Sequence, residues 1–126
     1  MIVGAKMPFM MSKVNISISE DQEIQLKSRL GKAIELLPGL SEEYLMAGFE
    51  DNQHIYLRSD KNQAVAYIEV SIFGNEIHYG YDKLTAEITK IFNEVLNINP
   101  KNIYVKYDDI KDWGVNGINF DRNDYQ

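Results

Sequence analysis

The 126-residue sequence contains no cysteine and only two histidines. The lack of cysteine excludes disulfides, thiolate nucleophiles, thiol redox chemistry and cysteine-based zinc sites. The histidines, His54 and His78, lie in polar loop contexts with no second ligand at metal-binding spacing. Both are therefore predicted to be surface residues rather than ligands.

An excess of positive charge is also lacking, since 13 basic residues face 19 acidic ones and the net charge is -6. Binding to a phosphate backbone or an anionic membrane usually begins with a basic cluster, so neither nucleic acid nor membrane is an expected partner. Apolar runs are only a few residues long, too short to span a bilayer. The first residues, MIVGAKMPFMM, lack the features of a signal peptide, so we expect a cytoplasmic protein, released from cells, if at all, without one.

Two further segments do not match the motifs that hold cofactors. Asp108, Asp109 and Asp112 lack the glycine and the distal glutamate of a calcium loop. The segment GNEIHYGYD has neither of the glycine spacings that cradle phosphates. The sequence therefore predicts a protein that binds no metal and uses no cofactor.

Two stretches show the same helical spacing of apolar residues. After Ser19, which forms a capping box with Gln22, apolar residues recur at relative positions 0, 4, 7, 8 and 11. The same spacing recurs after Asp82, at an offset of 84 − 26 = 58 residues. The first stripe comprises Leu26, Leu30, Ala33, Ile34 and Leu37, and the second comprises Leu84, Ile88, Ile91, Phe92 and Val95. The pattern predicts two equivalent amphipathic helices.

The offset of 58 residues also aligns the segments that flank the two helices. Met10, Ser12 and Val14 correspond to Ile68, Val70 and Ile72, and Leu45, Ala47 and Phe49 correspond to Ile103, Val105 and Tyr107. Each half is thus predicted as strand, helix, strand, and such a unit makes its two strands parallel. The sequence predicts one α+β domain over residues 1–126, a duplicated unit with a four-stranded mixed sheet and both helices on one face.

The sheet face without helices predicts self-association. We expect Met, Ile, Val and Tyr side chains there, which are too apolar to remain exposed over a large area. A cyclic oligomer would cover them. The segment Val115-Asn116-Gly117-Ile118 predicts a hairpin that offers a further edge to a neighbouring subunit, and residues 121–126 are expected to form a flexible tail.

Several segments, in this order, resemble the tautomerase superfamily, and within it macrophage migration inhibitory factor (MIF) and its bacterial relatives. Pro8 is followed by KVNISIS, YLMAGFED, VSIFG, INPKNIYVKYDDI and DWGVNGINF, and the similarity spans about residues 7–120. The run around Tyr104 and the ending WG-x-NG-x-x-F are the most specific parts. The resemblance implies a homotrimer with sites between subunits, and keto–enol tautomerisation of phenylpyruvate-type 2-oxo acids without a cofactor.

The resemblance also implies that Pro8 is the general base, as the N-terminal residue of the mature chain. A terminal secondary amine has a lone pair that a peptide nitrogen lacks, and burial in an apolar site lowers its pKa towards neutrality. Met7-Pro8 suits methionine removal because proline is small, whereas Met1-Ile2 does not. We therefore expect Met7 to be the start and residues 1–6 to be an upstream extension. If the extension is retained, no activity is expected.

Four more residues match the pocket of this family. The resemblance implies substrate contacts for Ile72, Tyr104, Trp113 and Phe120, with Tyr104 supplied by a neighbouring subunit. Packing in the core or in an interface is the alternative role for each. It is at least as well supported as direct contact for Ile72, whose backbone is the expected contact, and for Phe120.

Two positions depart from the family. The lysine that holds the substrate carboxylate after the first helix is Leu40 here, and the asparagine two residues after the matched tyrosine is Lys106. Since residues two apart on a strand share a face, Lys106 lies beside Tyr104. We expect Lys106 to replace the missing cation; a solvated strand lysine is the alternative.

The alternative function is a non-catalytic signalling or binding protein on the same trimer. Such a protein would mimic a cytokine, would carry a vestigial pocket and would have a host receptor as its partner. The mature N-terminus separates the two functions, because only a chain that begins at Pro8 has the amine that catalysis needs.

Overall fold

The computed structural model describes residues 7–75 and 77–125, so the predicted extension over residues 1–6 lies outside the described residues. Within the described part, six strands and two helices follow one another as β1 Phe9–Val14, α1 Glu20–Ala33, β2 Met46–Glu50, β3 Ala66–Phe73, α2 Tyr81–Leu96, β4 Ile103–Ile110, β5 Asp112–Val115 and β6 Ile118–Asp121. Short 3₁₀ turns occupy Ile34–Leu36, Glu42–Tyr44, Pro100–Asn102 and Arg122–Tyr125. The predicted tail thus begins with the last residue of β6 and a 3₁₀ turn.

The predicted capping box starts α1. The Ser19 side chain accepts a hydrogen bond from the backbone N–H of Gln22 at 3.1 Å, and the Gln22 side chain accepts one from the backbone N–H of Ser19 at 2.9 Å. Both predicted apolar stripes face the core, where only Val95 remains partly exposed. Helix α2 has a different start, because Gly80 occupies its N-cap with φ 86°, a conformation that suits glycine.

The sheet register shows that the two halves are true structural repeats. The strand order is β2-β1-β3-β4, with parallel outer pairs and an antiparallel central pair. Phe9 pairs with Met46 and Ala66 pairs with Ile103, so both parallel pairs have the same offset, 46 − 9 = 103 − 66 = 37. In the central pair, Met11 lies opposite Glu69, and 69 − 11 = 58 is the repeat offset found in the sequence. The two halves are therefore related by an approximate two-fold axis through this residue pair.

The helices cover one face of the sheet, as predicted, but the bare face is less apolar than predicted. Val70 is fully buried on the helix side, and Val105 packs against the same core. The bare face does carry Met11, and it also carries a chain of ion pairs at its centre. This chain joins Lys13 to Glu69 at 3.2 Å, Glu69 to Lys106 at 3.3 Å and Lys106 to Asp108 at 3.2 Å. Successive side chains of a strand point to opposite faces of the sheet. Because Val70 and Val105 point towards the helices, their neighbours Glu69 and Lys106 point to the bare face.

The predicted C-terminal hairpin is confirmed as β5 and β6. Val115 pairs with Ile118, and the turn residues Asn116 and Gly117 have φ values of 56° and 73°. Two successive residues with positive φ are typical of the tight turn that an Asn-Gly pair favours. Of the helices in residues 7–75 and 77–125, none is both long enough and apolar enough to cross a membrane.

We expect the core between sheet and helices to dominate stability. Ile88 is completely buried on α2, whereas Ile24 on α1 is 58% exposed. Ile88→Ala should lower the free energy of unfolding by about 2–5 kcal/mol, because it leaves a cavity. The control, Ile24→Ala, should lower it by less than about 1 kcal/mol. Urea unfolding at one protein concentration measures both, and equal losses would contradict this packing.

Candidate active site

A cavity of about 770 Å³ opens at the end of the sheet where β1 begins. Its volume is typical of small-molecule sites. Most of its wall is apolar or aromatic and comprises Met7, Pro8, Phe9, Tyr44, Leu45, Met46, Ile110, Trp113 and Val115. Three polar side chains, those of Glu43, Ser71 and Asp112, complete the side-chain lining.

Pro8 is buried in the wall of this cavity. It immediately precedes β1, a central strand that pairs with both β2 and β3. Its carbonyl accepts a hydrogen bond from the backbone N–H of Met46 at 3.1 Å, so the sheet fixes its position. The Pro8 nitrogen is acylated by Met7 in the described chain and, as an amide, has no lone pair available for a base.

Trp113 and Phe120 lie opposite one another in the hairpin. Trp113 lines the cavity, as the resemblance implied, and Phe120 is not among the lining residues. The Phe120 side chain is the cross-strand neighbour of the indole, and such pairs hold aromatic side chains in place. Within one chain, Phe120 therefore supports Trp113 rather than forming the cavity wall.

Ile72 does not present its side chain to the cavity. It is fully buried within the hydrophobic core. Its neighbour Ser71 points the other way along β3 and lines the cavity, as the alternation of a strand requires. Within one chain, the Ile72 side chain therefore does not form the apolar wall that the resemblance implied, and the substrate contact expected of its backbone stays a prediction.

Tyr104 lies far from Pro8 within one chain. Tyr104 lies near the start of β4 and pairs with Tyr67. Phe9, next to Pro8, pairs with Ser71, and Ser71 pairs in turn with Asp108. Four residues of strand separate Tyr104 from Asp108, which corresponds to about 13 Å along the sheet. Tyr104 instead lines a second cavity, of about 250 Å³. One chain cannot bring its own Tyr104 hydroxyl to its own Pro8.

Lys106 shares the bare sheet face with Tyr104, but within one chain it does not line the Pro8 cavity. Its ammonium group lies between the carboxylates of Glu69 and Asp108. Asp108 and Glu69 raise the pKa of Lys106, and hydrogen bonds from Lys13 and Lys106 lower the pKa of Glu69. Lysine is charged at neutral pH even without such a shift. Lys106 is therefore an exposed cation on the face that the helices leave open.

The cavity beside Pro8 contains carboxylates but no cation among its lining residues within the described chain. Leu40, at the position of the missing lysine, is 7% exposed and belongs to the core. Asp112 lies 3.8 Å from Lys111 and accepts a hydrogen bond from the Asn119 side chain. Glu43 is exposed, and its carboxylate has no hydrogen bond or ion pair with any residue that the structure describes. The cavity of a single chain is thus negatively charged.

Sequence reasoning missed Glu43, Tyr44 and Ser71 as cavity residues. The only signal for Ser71 is a polar residue within the apolar strand AYIEVSIF. Glu43 and Tyr44 belong to the 3₁₀ turn Glu42–Tyr44 before β2. They reach the cavity because the parallel pairing of β1 with β2 brings this turn beside Pro8.

Asp109, near the end of β4, contacts groups of the chain itself. Asp109 accepts a hydrogen bond from the backbone N–H of Asn75 at 3.0 Å and forms an ion pair with Arg122. No group of three or more His, Asp or Glu residues in the described part of the chain is placed to hold a metal ion. His78 stacks on Tyr81, with ring centroids 5.0 Å apart.

Comparison with known proteins identifies the fold. No protein-family profile matches the sequence, and no curated protein matches it. Among solved structures, MIF2 of Leishmania major has a TM-score of 0.84 and 26% identity, over 91% of this chain and 98% of that one. The MIF homologue of Prochlorococcus marinus has a TM-score of 0.78 and 21% identity, over 89% and 98% of the two chains.

A third structure is that of Pt0534 inactivated by 2-oxo-3-pentynoate, with a TM-score of 0.79 and 14% identity, over 92% of this chain and 97% of that one. These likenesses cover the four-stranded sheet and both helices, and they confirm the resemblance that the sequence motifs indicated. The structural neighbours of this chain are MIF and MIF-like proteins of the tautomerase superfamily, and the chain has their fold.

Proposed function

We propose that this protein is a keto–enol tautomerase for 2-oxo acids of the phenylpyruvate type, with the free amine of Pro8 as its base. The observation that carries the proposal is the position of Pro8, buried at the start of a central strand and in the wall of an apolar cavity shared with Trp113. The MIF-like neighbours support it. So does Pt0534, which is inactivated by 2-oxo-3-pentynoate, itself a 2-oxo carboxylate.

The proposed base requires a chain that begins at Pro8. Removal of the preceding residue converts an amide nitrogen into a secondary amine. Since Pro8 is buried among apolar side chains, desolvation disfavours the ammonium form and lowers the pKa of this amine. A base with a pKa close to the working pH is the most effective proton carrier.

In the proposed conversion of ketone into enol, the Pro8 nitrogen is the only group that carries the proton. The Pro8 nitrogen takes a proton from C3 of the keto acid, and the electron pair of the broken C–H bond forms the C2–C3 double bond. The C2 carbonyl π electrons move to the oxygen, which then accepts the proton from the Pro8 ammonium group. The reverse sequence converts enol into ketone, and the amine is regenerated in either direction.

Stabilisation of the carboxylate and of the developing oxyanion is assigned to a second copy of the chain. The register keeps Tyr104 and Lys106 out of the cavity of their own chain. In a homotrimer with sites between subunits, the bare sheet faces are covered. Lys106 of one copy then supplies the positive charge that is missing in the next copy, where Leu40 stands in place of a lysine. Tyr104 donates a hydrogen bond from its hydroxyl group.

The first test compares a chain that begins at Pro8 with one that begins at Met7 and retains it. The Pro8 chain should catalyse phenylpyruvate enol–keto conversion at least about 100-fold faster, because only it carries an amine base. Its kcat/KM should fall as the pH drops below the pKa of the amine, since the ammonium form cannot accept a proton. Mass spectrometry verifies each terminus. Equal activity of the two chains would exclude Pro8 as the base, and inactivity of both would favour a binding protein.

The second test separates the role of Lys106 from the general charge of the sheet face. Lys106→Ala should lower kcat/KM for phenylpyruvate by about 10-fold to 100-fold, because a charged partner of the carboxylate is lost. Lys13→Ala is the matched control, since Lys13 also pairs with Glu69 on this face. The control should change kcat/KM by less than about threefold. If both variants lose the same activity, Lys106 is only a surface lysine.

A further inference from the structure

We infer that the preferred substrate carries a positive charge at the end remote from its carboxylate, and that Glu43 selects this charge. The inference rests on the proposed function and specifies its substrate class. It starts from a mostly apolar cavity whose lining includes the exposed carboxylate of Glu43, which has no partner among the described residues.

The local backbone holds Glu43 at the cavity. Ser41 caps the 3₁₀ turn, and its side-chain oxygen accepts a hydrogen bond from the backbone N–H of Glu43 at 3.1 Å. The turn is closed by the hydrogen bond from the Leu45 N–H to the Glu42 carbonyl at 3.1 Å. The two glutamates diverge from this turn, because the Glu42 side chain packs against Gly31 of α1 while Glu43 lines the cavity.

Among the described residues of one chain, no lysine, arginine or histidine side chain lines the cavity beside Glu43. Asp112, the other lining carboxylate, is partly compensated by Lys111, which lies nearer to Asp121, at 3.1 Å, than to Asp112, at 3.8 Å. The whole chain is also acidic, with a net charge of -6. An uncharged substrate tail would shield Glu43 from water without pairing it, and an anionic tail would be repelled. A cationic tail avoids both costs.

The aromatic lining suits the same ligand. Tyr44 follows Glu43 directly in the turn, and Trp113 lies on the hairpin side of the cavity. The faces of tyrosine and tryptophan rings attract ammonium and guanidinium groups. A ligand with a carboxylate at the proposed Lys106 end and a cation at the Glu43 end would meet a complementary charge at each end. The predicted substrate class is therefore a zwitterionic 2-oxo acid with an amino or guanidino group on its side chain.

The test uses two substrates of similar shape, the enols of 4-(aminomethyl)phenylpyruvate and 4-ethylphenylpyruvate, with the chain that begins at Pro8. At low salt, kcat/KM for the aminomethyl compound should exceed that for the ethyl compound by about fivefold, and added salt should reduce the ratio. In Glu43→Gln the ratio should fall to about one. Glu42→Gln is the matched control, because it removes one carboxylate from the same turn outside the cavity, and it should keep the wild-type ratio.

A binding measurement distinguishes failure of this inference from failure of the tautomerase proposal. Trp113 is the single tryptophan of the chain and lines the cavity, so its fluorescence reports binding of 4-(aminomethyl)benzoate and 4-ethylbenzoate without turnover. If neither enol is converted but the Glu43-dependent preference persists in binding, the charge selection stands and the tautomerase proposal fails. If both enols are converted with a ratio near one, or if Glu43→Gln keeps the preference, the charge selection is overturned.

Discussion

The pairing of β1 with β3 is the constraint on which the rest of the structure depends. Because Met11 lies opposite Glu69, the two βαβ units are placed around a shared two-fold axis. This places the start of β1 at one end of the central strand pair. Pro8 therefore sits where β2, β3 and the hairpin converge on one cavity. A shift of one residue in this register would turn every inward side chain of β1 outward and would remove the cavity wall.

The same register gives the sheet two different faces. The inward face packs on the helices and is almost entirely apolar. The outward face carries the ion-pair chain that links Lys13, Glu69, Lys106 and Asp108. These groups are partly exposed, so the pairs contribute little to stability. They position Lys106 on the face that a second copy of the chain would approach in the proposed trimer. In that proposal, the positive charge at the site comes from a strand of the neighbour instead of the loop after α1.

The elements could be predicted from the sequence because each has a strong local signal. The stripes of both helices, the capping box at Ser19 and the Asn-Gly turn are all contained within short segments. Pro8 and Trp113 were found through motif resemblance, and they do share a cavity. The residues on the bare sheet face were only partly predicted, because apolar composition does not reveal to which side of a strand a valine points.

Other parts of the site depend on distances that no local pattern encodes. Glu43 becomes a cavity residue only when β2 pairs with β1 and carries its preceding turn to Pro8. Tyr104 and Lys106 do not line the cavity of their own chain, so the role proposed for them depends on a second copy of the chain. The substitution of Leu40 for lysine was visible in the sequence. Its consequence is a cavity lined by carboxylates and by no cationic side chain of residues 7–75 and 77–125, and this could be seen only in the fold.

The central claim is that the Pro8 nitrogen carries the proton, and titration of that atom tests it most directly. The chain has three prolines, and in a protein that begins at Pro8 only this one has a nitrogen that can titrate. With ¹⁵N-labelled proline, one nitrogen resonance should shift between about pH 5 and pH 9, with the same midpoint as the pH dependence of kcat/KM. A Pro8 nitrogen that does not titrate in this range, or a rate profile that follows a different pKa, would contradict the account.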